Sequence, residues 1–166
     1  AEMFSAIAQK YGFTYPAKEI EKAWETLLTN QFHDIIPGTH VKEAYACILK
    51  EFTGVVETAA KIKEDALKVI SENIKANLDG KAIAVYNSLE HSVDNLVYLD
   101  DINVCVTDED GNNVPVQVIK DFAGNKKAVF YAKNIPAVGY KLYSVKGAAA
   151  KATDAPVVSK LENDFF

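Results

Sequence analysis

The sequence predicts an α+β chain: an N-terminal three-helix bundle over residues 1–80, then an antiparallel β-sandwich-like domain over 81–147. Three observations lead there. Valine occurs 4 times in residues 1–80 and 13 times in 81–166, while glutamate falls from 9 to 3. Glutamate favours helix and valine favours strand. Apolar residues recur at steps of three and four before Gly80, but in short runs between turn-rich clusters after it. The change of texture is not one of charge. Nine lysines face 12 carboxylates before Gly80 and nine face 11 after it, so neither half is a charged tail.

Within the helical half, Met3, Phe4, Ile7, Ala8 and Tyr11 share one face of a short helix that Gly12 ends. Pro16 presets φ for a new first turn, with Glu19 and Glu21 near its positive end. Ile20, Ala23, Trp24, Leu27, Leu28 and Gln31 keep helical spacing towards Phe32, and Pro37-Gly38 breaks the run. Thr39 is placed to cap a third helix, with His40 in its first turn. The apolar seam of that helix passes through Val41, Tyr45, Ile48, Phe52, Val55, Ala59, Ile62 and Ala66, and on to Ile70, Ile74 and Leu78. Unbroken, it would be roughly 55–60 Å long, and Gly54 is the expected place for a bend. Trp24, Leu27 and Leu28 are expected to pack the bundle.

The second half predicts strands over residues 82–86, 96–99, 104–107, 114–119, 128–132 and 140–145. They are separated by turns such as Asp108-Glu109-Asp110-Gly111-Asn112-Asn113 and Ala123-Gly124-Asn125-Lys126. The first of these is not an EF-hand: its sixth position is Asn113 rather than Gly and its twelfth is Ile119 rather than Glu, so a hairpin turn is the reading. Residues 148–166 read as a linker followed by the first strand of a further, truncated β domain.

Composition excludes several classes. The 166 residues are 49% hydrophobic with net charge −5, and no apolar run is long enough to cross a membrane. Every basic residue is Lys, so the Arg forks that read guanine are absent and no nucleic-acid partner is expected. Cys47 and Cys105 are too few for a disulfide scaffold and are expected to be buried thiols. The lack of a glycosylation sequon and of a signal-peptide pattern fits a cytoplasmic location. Ala1 already inside a helical pattern, and Phe165-Phe166 ending an unfinished apolar stretch, suggest a piece of a longer enzyme.

One segment carries chemistry: Asn30-Gln31-Phe32-His33-Asp34-Ile35-Ile36-Pro37-Gly38-Thr39-His40. Imidazole nitrogen and carboxylate oxygen are both good zinc ligands, and here they adjoin where a helix gives way to a turn. The competing reading is dipole compensation at a helix end with a local hydrogen bond. A zinc site needs three or four protein ligands, so any further ligands lie on protein outside this chain. His91, isolated in a polar loop, reads as a solvated histidine.

The run from Ala23 to Thr39, with Trp24, Leu27-Leu28 and Gln31-Phe32-His33-Asp34-Ile35-Ile36-Pro37-Gly38, closely resembles the signature of family 38 glycoside hydrolases, the retaining α-mannosidases. Tyr15-Pro16 fits the same pattern upstream. Val85-Tyr86-Asn87-Ser88-Leu89, Val114-Pro115-Val116-Gln117, Ile135-Pro136-Ala137-Val138-Gly139-Tyr140 and Leu161-Glu162-Asn163 extend it downstream. The resemblance implies a three-helix middle domain followed by a small β domain. It implies a catalytic Zn2+ for which His33 is one ligand, the others lying on a missing N-terminal α/β domain that also holds the nucleophile. Asp34 matches the carboxylate that hydrogen-bonds a mannose hydroxyl. The implied partners are an α-mannoside or oligosaccharide substrate and the missing N-terminal and C-terminal domains; the fragment alone is expected to be inactive. The alternatives are a non-catalytic carbohydrate-binding module in the β half and a helical interaction module using the seam from Val41 to Leu78.

Overall fold

The computed structural model describes residues 1–147; the expected linker and truncated strand of 148–166 lie outside the described residues. Two compact units divide between Lys75 and Ala76, five residues before Gly80.

The first unit holds three α-helices: α1 (Glu2–Ala8), extended by a 3-10 turn at Gln9–Tyr11, α2 (Ala17–Thr29) and α3 (Lys42–Glu72). Both α1 and α2 pack on α3. Phe4, Ser5 and Ala8 of α1, Ile20 of α2, and Ile62, Ala66 and Ile70 of α3 are buried. Ala8 and Ala66 are fully buried, and such small side chains let neighbouring backbones approach closely. Pro16 stands one position earlier than expected, as the N-cap of α2, and its carbonyl accepts from the Ile20 N–H at 3.1 Å.

Four sequence expectations are corrected here. Helix α3 stops at Glu72, making it about 46 Å long at 1.5 Å per residue, and Ile74 and Leu78 lie beyond it. The Asn73 side chain donates to the Val69 carbonyl at 2.9 Å, the kind of local side-chain bond that competes with further helix. The helix runs uninterrupted through Gly54. Its N-cap is Val41, with no side-chain cap, so Thr39 does not cap it and His40 precedes it. Of the seam up to Ile70, Ile62, Ala66 and Ile70 are buried, Ile48, Phe52, Val55 and Ala59 are half-buried, and Val41 and Tyr45 are exposed.

The second unit is built from antiparallel strands β1 (Lys81–Asn87), β2 (Val93–Leu99), β3 (Val104–Asp108), β4 (Asn113–Val114), β5 (Val116–Lys120), β6 (Lys126–Ile135) and β7 (Gly139–Gly147). One sheet runs β1-β7-β3-β4 and the other β2-β6-β5. The expected strand over 114–119 is divided at Pro115. Val114 pairs with Val106 in the first sheet, and Val116 pairs with Phe130 in the second. Proline has no N–H to give a ladder, so the chain changes sheets where the ladder must break.

The two sheets close on Val106, Phe130, Ala132, Ile135 and Tyr143, flanked by Ile83, Val85, Val97 and Val145. The Phe130 and Tyr143 rings, one from each sheet, lie 4.9 Å apart at 58°. Between the pairs Val93↔Ile135 and Asn95↔Ala132, Asp94 faces two residues of β6, Lys133 and Asn134, which makes a β-bulge. Asn134 adopts φ 53°, and its N–H donates to the Asp94 carboxylate at 2.7 Å.

The two hairpin turns share one construction. In Asp108-Glu109-Asp110-Gly111-Asn112, Asp108 Oδ1 accepts from the N–H groups of Asp110 and Asn112. In Asp121-Phe122-Ala123-Gly124-Asn125, Asp121 Oδ1 likewise accepts from the Asn125 N–H at 2.8 Å. The turn reading of residues 108–113 therefore holds. The expectation for the cysteines does not: Cys47 and Cys105 are both exposed.

Candidate functional site

The His33 segment begins where α2 ends. Thr26 and Thr29 turn their hydroxyls back onto the Lys22 and Glu25 carbonyls, at 2.9 and 2.7 Å, saturating the last helical turns. Asn30 follows at φ −80°, ψ 0°. From there the chain makes consecutive tight turns. The Phe32 carbonyl accepts from the N–H groups of Ile35 (2.9 Å) and Ile36 (3.2 Å), and the Ile35 carbonyl accepts from Gly38 N–H (3.1 Å). Gly38 has φ 75°, the left-handed region where a side chain is strained, and this lets the chain reverse after Pro37.

Thr39 closes the segment. Its N–H donates to the Asp34 carbonyl at 3.0 Å, and its hydroxyl donates to Asp34 Oδ1 at 3.1 Å. Asp34 Oδ2 is left facing His33, whose Nε2 lies 3.4 Å away. The Phe32 ring leans on the His33 ring, with centroids 4.1 Å apart. The His33 side chain is 75% exposed and that of Asp34 54%, so both functional groups are open to a ligand arriving from solvent. His33 thus sits on a turn four residues past the end of α2, rather than on the helix end itself.

The donor set decides what this site can hold. An imidazole and a neighbouring carboxylate suit a divalent cation, and neither is buried in a competing role. Among the described residues, however, no group of three or more His, Cys, Asp and Glu side chains converges. His40 is engaged elsewhere: its Nδ1 lies 3.1 Å from the Val41 carbonyl oxygen and its ring stacks on Tyr45. The residues present fit one or two positions of a metal's coordination sphere.

Sequence reasoning missed two other groups in this unit. Asn30 is buried, and its side-chain amide donates both to the Thr26 carbonyl (2.9 Å) and to Glu51 Oε2 on α3 (2.6 Å). A separation of 21 residues gave no sign of that pair. Glu2 accepts from the Tyr15 hydroxyl and the Trp24 indole N–H, each at 3.1 Å. Partial desolvation, and next the bond to Glu2, raise the Tyr15 pKa.

Trp24 is half exposed, and it borders an apolar hollow of about 230 Å³ with Ile20, Leu27, Val55 and Ile62. Leu28 is more exposed still. The expectation that both pack in the bundle is corrected: Trp24 is only half covered and Leu28 is exposed.

Comparison with known proteins gives these arrangements a context. Residues 1–70 match the family model described as alpha mannosidase middle domain. An alpha-mannosidase of Saccharomyces cerevisiae is 28% identical over 64 residues, which is 34% of this chain and 6% of that protein. The crystal structure of an alpha-mannosidase from Enterococcus faecalis superposes with a TM-score of 0.69 at 16% identity, covering 93% of this chain and 22% of that one. At that identity the likeness establishes the fold. The chain spans about a fifth of the solved relative, and the matched stretch is a far smaller share of the yeast protein. Residues 1–70 of this chain are thus similar to the alpha mannosidase middle domain.

Proposed function

We propose that the chain is the middle portion of a zinc-dependent retaining α-mannosidase that hydrolyses terminal α-mannosides. In this reading His33 lends one metal ligand and Asp34 a sugar-contacting carboxylate to an active site completed by an N-terminal α/β domain. The observation that carries the reading is the exposed His33–Asp34 pair, displayed on a turn inside the span that matches the middle-domain family.

Each residue has a defined task. His33 offers an imidazole lone pair from an open ring. Asp34 commits Oδ1 to Thr39 and keeps Oδ2 free to accept a hydrogen bond, from a sugar hydroxyl or from the His33 ring N–H. When bound, zinc supplies Lewis acidity and a template that orients vicinal sugar oxygens. The nucleophile of a retaining glycosidase is a second carboxylate close to the acid, and we assign it to the N-terminal domain. The exposed Phe32, Ile36, Val41 and Tyr45 around the turn suit packing against that domain. Two exposed, unpaired cysteines fit a reducing, cytoplasmic location.

The test is direct. The 166-residue chain alone should neither turn over an aryl α-mannoside nor retain zinc through dialysis, whereas the longer polypeptide should do both. Turnover by the chain alone would overturn the assignment of the nucleophile to another domain.

A further inference from the structure

A metal ligand on a turn works only if the turn is held still, to within roughly 0.5 Å of the productive geometry. The His33 turn has little of its own to hold it. Across residues 30–40 only Asn30 is buried; every other residue there is exposed or half-buried, so no apolar side chain anchors the segment in a core.

Asn30 is where the turn is attached. Its amide N–H2 has two protons, and both are placed. One bonds the Thr26 carbonyl, which also accepts from the Asn30 backbone N–H at 3.1 Å, and the other bonds Glu51 Oε2 across to α3 at 2.6 Å. The second is a charge-assisted bond, the stronger class. Glu51 is the tenth residue of the 31-residue α3, the longest helix of the unit, and its other oxygen takes the weak Cys47 thiol contact at 3.7 Å. Two residues, Gln31 and Phe32, separate Asn30 from His33, and the bonds from Phe32 to Ile35 and from Asp34 to Thr39 link the backbone on either side of His33. Fixing Asn30 therefore restrains the backbone that carries His33.

We propose that Glu51 is a positioning residue for the metal site: through Asn30 it ties the His33–Asp34 turn to α3 and holds the imidazole in ligating position. The inference rests on the reading of His33 as a ligand. Partners of this outer kind are worth 10–100-fold in metal affinity where they have been removed.

The experiment compares Glu51→Ala with Glu51→Gln, whose side-chain carbonyl can still accept from Asn30. In this chain, backbone order parameters of Ile35, Gly38 and Thr39 should fall from about 0.85 to below about 0.6 in Glu51→Ala. They should stay near wild type in Glu51→Gln, with Ala66 and Ile70 unchanged in both as a check on folding. In the longer polypeptide, zinc should bind about tenfold more weakly in Glu51→Ala, with most of that affinity recovered in Glu51→Gln. A turn that stays ordered in Glu51→Ala overturns the proposal, and so does a loosened turn with undiminished zinc affinity. His33→Ala separates the two claims. If it keeps its zinc, the functional reading falls and takes this one with it. If it loses zinc while Glu51→Ala does not, only the tether falls.

Discussion

The Asn87 side-chain nitrogen lies 3.0 Å from the Pro136 carbonyl oxygen, so an amide at the end of β1 fastens the turn between β6 and β7. The same nitrogen reaches the carbonyls of His91 (2.8 Å) and Ile135 (3.2 Å), while Oδ1 accepts from the Leu89 N–H (2.9 Å). Asn87 is buried, so removing it strands several backbone groups away from water. Asn87→Ala should destabilise the second unit by about 2–3 kcal/mol, read as a lowered urea midpoint. A midpoint equal to that of wild type would contradict the role given to this network.

Aromatic packing between the sheets gives a second prediction. Phe130 is 1% exposed and meets Tyr143 across the core. Phe130→Ala removes most of that contact and leaves a cavity, so it should cost about 3–5 kcal/mol by chemical denaturation. A loss under about 1 kcal/mol would mean that the two sheets are not closed on these rings.

The hairpin aspartates make stability depend on acidity. At Asp108, partial desolvation raises the pKa, but it is outweighed by hydrogen bonds from the Asn112 backbone and side chain and the Asp110 backbone, leaving it lowered. At Asp121, the Asn125 backbone bond leads the causes that lower it. A carboxyl whose folded pKa is depressed stabilises the fold above its unfolded pKa and loses that contribution as pH falls through the folded value. Asp108→Ala/Asp121→Ala should therefore be less stable than wild type at pH 7. The gap should narrow as pH drops below 3.8, the ordinary value for these groups. A gap of constant size down to pH 2 would contradict the electrostatic account.

Two glycines should respond differently to alanine. Gly80 has φ 110°, and an added Cβ would come within 2.8 Å of Lys146 Cγ and 3.1 Å of the Val145 carbonyl oxygen. Gly38 has φ 75° but open space around it. Gly38→Ala should cost only the left-handed strain, about 1–2 kcal/mol, whereas Gly80→Ala adds a clash with the Lys146 side chain and a tight approach to β7 backbone, and should cost more. Thermal unfolding of the two variants checks the order, and equal losses would count against it.

Much of this fold was legible because period and composition agree. The Ile20–Leu27 stripe and the valine-rich runs announced α2 and the strands, and the Asp110-Gly111 and Ala123-Gly124 turns announced the hairpins. The failures have local causes. The seam through Ile74 and Leu78 kept its spacing past the point where Asn73 turned its side chain onto Val69 and ended the helix. The apolar run from Val114 to Ile119 reads as one strand, but Pro115 lacks the N–H that would let it stay in one sheet. Leu28 and Tyr45 have core-like spacing yet are exposed, and Trp24 is only half covered, because spacing reports that a face is apolar and not what covers it. At the site, His33 and Asp34 were visible as a ligand-type pair. The Asn30–Glu51 bond was not, since no short-range pattern links two polar residues on different elements.

His33 is the residue on which the proposed function turns. The most direct measurement is the zinc content and aryl α-mannoside turnover of the longer polypeptide carrying His33→Ala, purified alongside wild type and Phe32→Leu as a neighbouring control. The account predicts that His33→Ala loses zinc and activity together while the control keeps both. A His33→Ala protein with wild-type zinc content and wild-type turnover would contradict it.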